Sequence, residues 1–282
     1  MAVVLALVAA LFLSLGTVLE QQVASKAPEA EAVRAGFLVR LARQPRWIAG
    51  LVADAIGFAV QAAALSVGRL VVVQPLQATV VVFALPLNAV LGGRKPSARE
   101  LGAATVVTAG LAVFLVAAEP TGGVDNPGGF AWIVSFVVCG GASALLAAVA
   151  RGRRPAFRAT LLGMASGILW GLFAALLKST VEGFDEGLLH VLSGWHLYAL
   201  IAMGYLAMTL GQSAYQTGAL APALATQMSF DPITSLLLGI FAFKETIHES
   251  TAGLVVAVAA FAVVICALVY LILSQQKPVA AA

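Results

Sequence analysis

From Ala2 to Ser274 the chain is a succession of apolar stretches, most about twenty residues long, separated by short polar joints. That length is what an α-helix needs to cross the roughly 30 Å hydrocarbon core of a bilayer. Lipid offers no partner to backbone N–H and C=O groups, so each stretch must be helical to satisfy its own. The rest of the chain gives no alternative. Its 282 residues are 61% hydrophobic and 10% charged, with a mean hydropathy of +0.99. No soluble domain of this length hides so much apolar surface. The expected class is an all-α polytopic membrane protein, with the lipid bilayer as its first partner.

The stretches read as nine helices, near 2–24, 47–67, 70–92, 100–118, 130–150, 158–178, 195–218, 221–243 and 251–273. The first has no Lys or Arg ahead of it and is long enough to span, so it reads as a helix and not as a leader. The third contains Pro75 and Pro86 and is expected to bend; Pro232 marks a third kink position. With the N-terminus outside, only Arg69, Lys178 and Lys244 of the 16 basic residues fall on the outer side. That segregation is the positive-inside pattern and predicts an inner or plasma membrane protein with its C-terminus cytoplasmic. The net charge of +3 sits in short joints, which points to no nucleic-acid partner. Cys139 and Cys266 lie inside apolar stretches, away from any disulfide or metal pattern.

Displacing the chain on itself so that Gln61 meets Gln212 also sets Ala63 on Ala214 and Gly102 on Gly253. Helices 2, 3 and 4 then overlie helices 7, 8 and 9, and helices 1 and 6 pair through Gly16 and Gly171. The organisation is a four-helix repeat over 1–118, a linking helix with a basic joint over 119–157, and a second four-helix repeat over 158–282. The odd linking helix turns the second set upside down, as inverted-repeat transporters require.

Polar residues within the spans are the candidate site. An acid at mid-bilayer costs about 2.5–3.5 kcal/mol on the insertion scale, so Asp231 marks function. Helix 8 carries Gln227, Asp231 and Thr234 on one face; helix 7 carries Tyr205, Thr209, Gln212 and Gln216. Helix 2 aligns Asp54 with Gln61, helix 3 offers Gln74, Gln77 and Asn88, and helix 1 has Thr17 and Glu20. Each stripe is expected to face a shared interior. Asp54, Gln61, Gln74, Gln77, Gln212, Gln216, Gln227 and Asp231 are the expected substrate or ion pathway. Asp231 and Glu20 are the candidate coupling residues, with Asp231 able to exchange a proton or hold a cation. Lys178, at the end of helix 6, reads either as a partner for Asp231 or as a snorkelling side chain. Under the displacement Asp231 meets Val80 and Asp54 meets Tyr205, so the acids break the symmetry.

The stretch DPITSLLLGIFAFKETIHESTAGLVVAVAAF, 231–261, resembles the EamA-type pattern of the drug/metabolite transporter superfamily, with Pro232 and Glu245 in its Pro and Glu places. Arg94 stands where the first half would repeat that Glu. Within the superfamily, WIAGLVADAIGFAVQAAALSVGRLVVVQPLQATVVVF, 47–83, resembles the NIPA-type magnesium transporters through Trp47, Gly50, Pro75 and Leu76. Gln61 takes the place of an Asn there, and Phe58 that of an acid, with Asp54 one turn earlier. The resemblance implies a secondary transporter of a small metabolite or cation, working by alternating access. A magnesium carrier would use Asp54 and Asp231 as oxygen ligands. A flippase for a lipid-linked metabolite and a non-transporting accessory subunit are the other readings, and a homodimer or a membrane complex is the assembly left open. No enzyme is expected, because His190, His196 and His248 lie at helix edges or in joints; no cofactor is expected either.

Overall fold

A computed structural model describes residues 1–24, 44–92, 97–118, 121–124, 126–215, 217, 220–246 and 250–274. Eleven α-helices carry almost all of it. In chain order they are α1 (Ala2–Ala24), α2 (Pro45–Ser66), α3 (Leu70–Leu76), α4 (Thr79–Gly92), α5 (Ala98–Ala118), α6 (Gly129–Val149), α7 (Pro155–Glu182), α8 (Leu188–Ser193), α9 (Trp195–Tyr215), α10 (Leu220–Phe241) and α11 (Thr251–Ser274). A two-residue antiparallel pair, β1 (Thr121–Gly122) with β2 (Glu245–Thr246), ties two joints together. Among the described residues, seven spans are long and apolar enough to cross a membrane. Phe130, Leu189, Val90 and Phe241 lie outermost and largely exposed, an exterior suited to lipid and not to water. The chain is an all-α multi-pass membrane protein.

Local chemistry sets where helices start and stop. Pro45 and Pro155 open α2 and α7, where a missing N–H costs nothing. Ser97 and Glu100 form a capping box at α5: the Ser97 N–H donates to Glu100 Oε2 at 2.7 Å, and the Glu100 N–H to Ser97 Oγ at 3.3 Å. The third expected span is split. Pro75 cannot donate to Val71, and the turn after it closes on i−3 bonds, from Gln77 to Gln74 and from Ala78 to Pro75. Pro86 and Pro232, expected as kinks, sit inside unbroken helices. The sixth span runs from Pro155 to Glu182, longer than expected at both ends, which draws Lys178 inside.

Packing follows small residues. Helix α7 carries Gly163, Gly167 and Gly171 at four-residue spacing, and α10 lies directly on that stripe. A Cβ on Gly167 would sit 2.5 Å from the Gln227 carbonyl oxygen, and one on Gly171 would sit 2.9 Å from that of Asp231. Glycine alone permits this backbone contact. Gly16 of α1 packs instead on Gly50 and Asp54 of α2, so Gly16 and Gly171 do not play equivalent parts. Helix α1 lies against α2 and α4, α7 against α9 and α10, α6 against α7, and α5 against α11 through Phe114–Phe261 at 5.4 Å.

Candidate functional site

Seven helices contribute to a cavity of about 200 Å³. Helix α2 contributes Phe58 and Gln61, and α3 contributes Gln74. The turn after α3 adds Gln77 and Ala78, and α4 adds Val80. Helix α7 supplies Trp170, Phe173 and Ala174, and α10 supplies Gln227, Met228, Asp231 and Pro232; Leu13 and Leu268 close it. Asp231 is thus the single formal charge in the lining among the described residues. Its Oδ1 accepts a bond from Ser235 Oγ at 3.4 Å. Pro232 has no N–H to donate to the Met228 carbonyl, so one helical bond is missing at the same level. Gln74 is 2% exposed, and its Nε2 has no hydrogen-bond partner among the described residues; neither do Oε1 and Nε2 of Gln77. Buried amide groups left open in this way cost free energy unless a ligand or water completes them. The aromatic wall is ordered by edge contacts, with Trp170 to Phe173 at 5.1 Å and Phe58 to Phe173 at 6.3 Å.

Of the expected pathway residues, the fold brings Asp231, Gln61, Gln74, Gln77 and Gln227 to this one cavity. Asp54 is elsewhere, packed on Gly16 in the α1–α2 contact, so Asp54 and Asp231 do not form one oxygen cage. Among the described residues no three His, Cys, Asp or Glu side chains gather as a metal-holding group. Gln216 lies outside the described residues, and so do the side chains of Glu20 and Gln212. The expected inward stripe of α9 is partly reversed. Tyr205 is 70% exposed and Thr209 is exposed, while Ala207, Gly211 and Ala214 point in. Thr209 and Thr17 return their hydroxyls to carbonyls one turn back, at 2.7 and 2.8 Å, and so tolerate an outward position. Asn88 is half-buried and outside the lining. His190 pairs with Glu186 at 3.1 Å and His196 stacks on Trp195 at 4.0 Å, both away from the cavity; His248 is outside the described residues.

One turn above the cavity sits an ion pair whose partners lie far apart in the sequence. Lys178 and Glu245 are 5% and 2% exposed, with Lys178 Nζ 3.7 Å from Glu245 Oε1. The same carboxylate accepts the Leu70 and Val71 N–H groups at 2.9 and 2.8 Å, closing the start of α3. Lys178 also donates to the Gly68 carbonyl at 3.2 Å and lies 5.6 Å from the Phe243 ring. Lys178 therefore neither snorkels nor reaches Asp231. Along one face of α7, Trp170 and Ala174 line the cavity, and Lys178 follows about 6 Å beyond Ala174. Glu182, another turn on, lines a wider polar vestibule of about 690 Å³ together with Lys178, Glu245, Arg69 and Gly122. Arg69 Nε donates to the Gly122 carbonyl at 2.8 Å, and β1–β2 pairs Gly122 with Glu245, so the vestibule floor is cross-tied.

No protein-family model matches the chain, and no solved structure does. It is similar to an "Uncharacterized protein" of Corynebacterium glutamicum, 29% identical over 250 residues, which covers 87% of this chain and 85% of that one.

Proposed function

We propose that the chain is a secondary transporter of drug/metabolite-transporter type, moving a small solute across the cell membrane by alternating access. The observation that carries this reading is the stack along α7: vestibule, buried Lys178–Glu245 lock, then a cavity bearing Asp231 and unfilled amides. An acid held at the level of a polar cavity inside an apolar bundle is the arrangement solute-coupled carriers use. The lock is the gate on one side. Opening it means separating Lys178 from Glu245 and releasing the first turn of α3, whose next turn carries Gln74.

Two further features support an inverted repeat of four helices, a linker and four helices in this reading. The displacement that sets Gln61 on Gln212 also relates Gln77 to Met228 and Val80 to Asp231, and all four of these line the cavity. The last helices of the two sets, α5 and α11, pack on one another, as helices related by an internal twofold do. With the charge segregation, this supports a reading of nine spans, N-terminus outside and C-terminus cytoplasmic.

In proteoliposomes, Asp231→Asn should abolish proton- or cation-driven uptake of a transported solute, while exchange between the two sides persists only at saturating solute concentration. An unchanged uptake rate and pH profile in Asp231→Asn would remove Asp231 from the coupling step.

A further inference from the structure

The transporter reading leaves the solute open, and the inference that follows rests on it. The cavity's chemistry narrows the class sharply. Among the described residues its lining contains one carboxylate and no Lys, Arg or His, so an anion entering it would meet repulsion with no compensating charge. Three aromatic rings form one wall, the surface that attracts a cation in a dry site. Opposite charge and ring faces alone would suit a purely lipophilic cation, but the open amides do not. Gln74 Nε2 and Gln77 Nε2 need acceptors, and Gln77 Oε1 needs a donor. Neutral hydroxyl groups supply both kinds. The volume of about 200 Å³ suits a compact solute.

We propose that this cavity binds a small organic amine, protonated and carrying hydroxyl groups, with its ammonium at Asp231 and its hydroxyls at Gln74 and Gln77. Magnesium fits poorly in comparison, because it keeps an octahedral oxygen shell and finds here one carboxylate among rings and aliphatic side chains.

The test uses purified full-length protein in detergent and matched probes: glucosamine and ethanolamine as amines, glucose and glycerol as neutral analogues, glucuronate as an anion, and magnesium chloride. Thermal unfolding should rise with the amines in a saturable way and stay flat with the others. Asp231→Asn should weaken the apparent amine affinity about tenfold or more, the scale of a lost charged hydrogen bond. Asp54→Asn, outside the cavity, should leave it unchanged. Gln74→Leu should weaken glucosamine more than ethanolamine, which separates the amide contacts from a general loss of fold. Equal stabilisation by glucose, a response to glucuronate or magnesium alone, no amine response, or an amine response surviving Asp231→Asn would each overturn the assignment. Proteoliposome flux separates it from the reading beneath it. Amine binding without flux keeps the site and removes the transporter, whereas flux of glucuronate or glucose without amine selectivity keeps the transporter and removes the amine.

Discussion

At the scale of single residues, Glu245 does more than Asp231 to hold the molecule in the state described. Its two oxygens close the first turn of α3, face Lys178, and hang from a strand residue paired with Gly122. Removing one partner of a buried ion pair leaves the other uncompensated, at about 3–5 kcal/mol. Lys178→Met should therefore cost that much in thermal or denaturant unfolding. Glu245→Gln should cost as much or more, because the amide NH2 takes the place of one accepting oxygen and faces a backbone N–H of Leu70 or Val71. The double variant should lose less than the two single losses together, and strictly additive losses would show that the pair is not a unit. None of this lock was legible from the sequence beyond Glu245's place in a family pattern. Lys178 looked like a helix-end cation, because its partner lies in another helix's exit and no periodicity links the two.

At the scale of elements, spacing revealed which polar residues share a face, and the fold decides which faces turn inward. Gln74 and Gln77 come inside because the α3–α4 break turns them to the cavity, and Pro75 announced that break. Tyr205 and Thr209 share a face equally well yet look outward, and the Thr209 hydroxyl is satisfied one turn back on the Tyr205 carbonyl, so it needs no interior. What decides the inner face of α7 is glycine, a weak signal in an apolar run rich in small residues. That stripe makes a sharp prediction. Gly167→Ala drives a methyl into the backbone of Gln227 and Asp231, neither of which can yield without moving α10. It should destabilise by about 1–3 kcal/mol, as overpacking does, and should also weaken ligand binding at Asp231. Gly102→Ala meets nothing within 4 Å and should be neutral or gain up to about 1 kcal/mol from helix propensity. Equal unfolding temperatures for the two variants would remove the close α7–α10 contact from the account.

At the scale of the whole molecule, the proposed orientation rests on charge. The three basic residues on the proposed outer side were its exceptions. Lys178 is neutralised inside the lock, Arg69 is bonded to the Gly122 carbonyl, and Lys244 is exposed. A cation consumed by internal structure says little about which side a joint faces, so the segregation is stronger than a bare tally implies. Helix α7 then carries the decisive geometry: Arg153 precedes it, Leu189 follows it, and both are exposed. In a Cys139→Ala, Cys266→Ala background, Leu189→Cys should react in intact cells with a membrane-impermeant maleimide, and Arg153→Cys only after the membrane is opened. The reverse pattern would invert the proposed orientation while keeping the span. Labelling of both from one side would mean that α7 does not cross the bilayer once, and an inverted second set could not then be built from it.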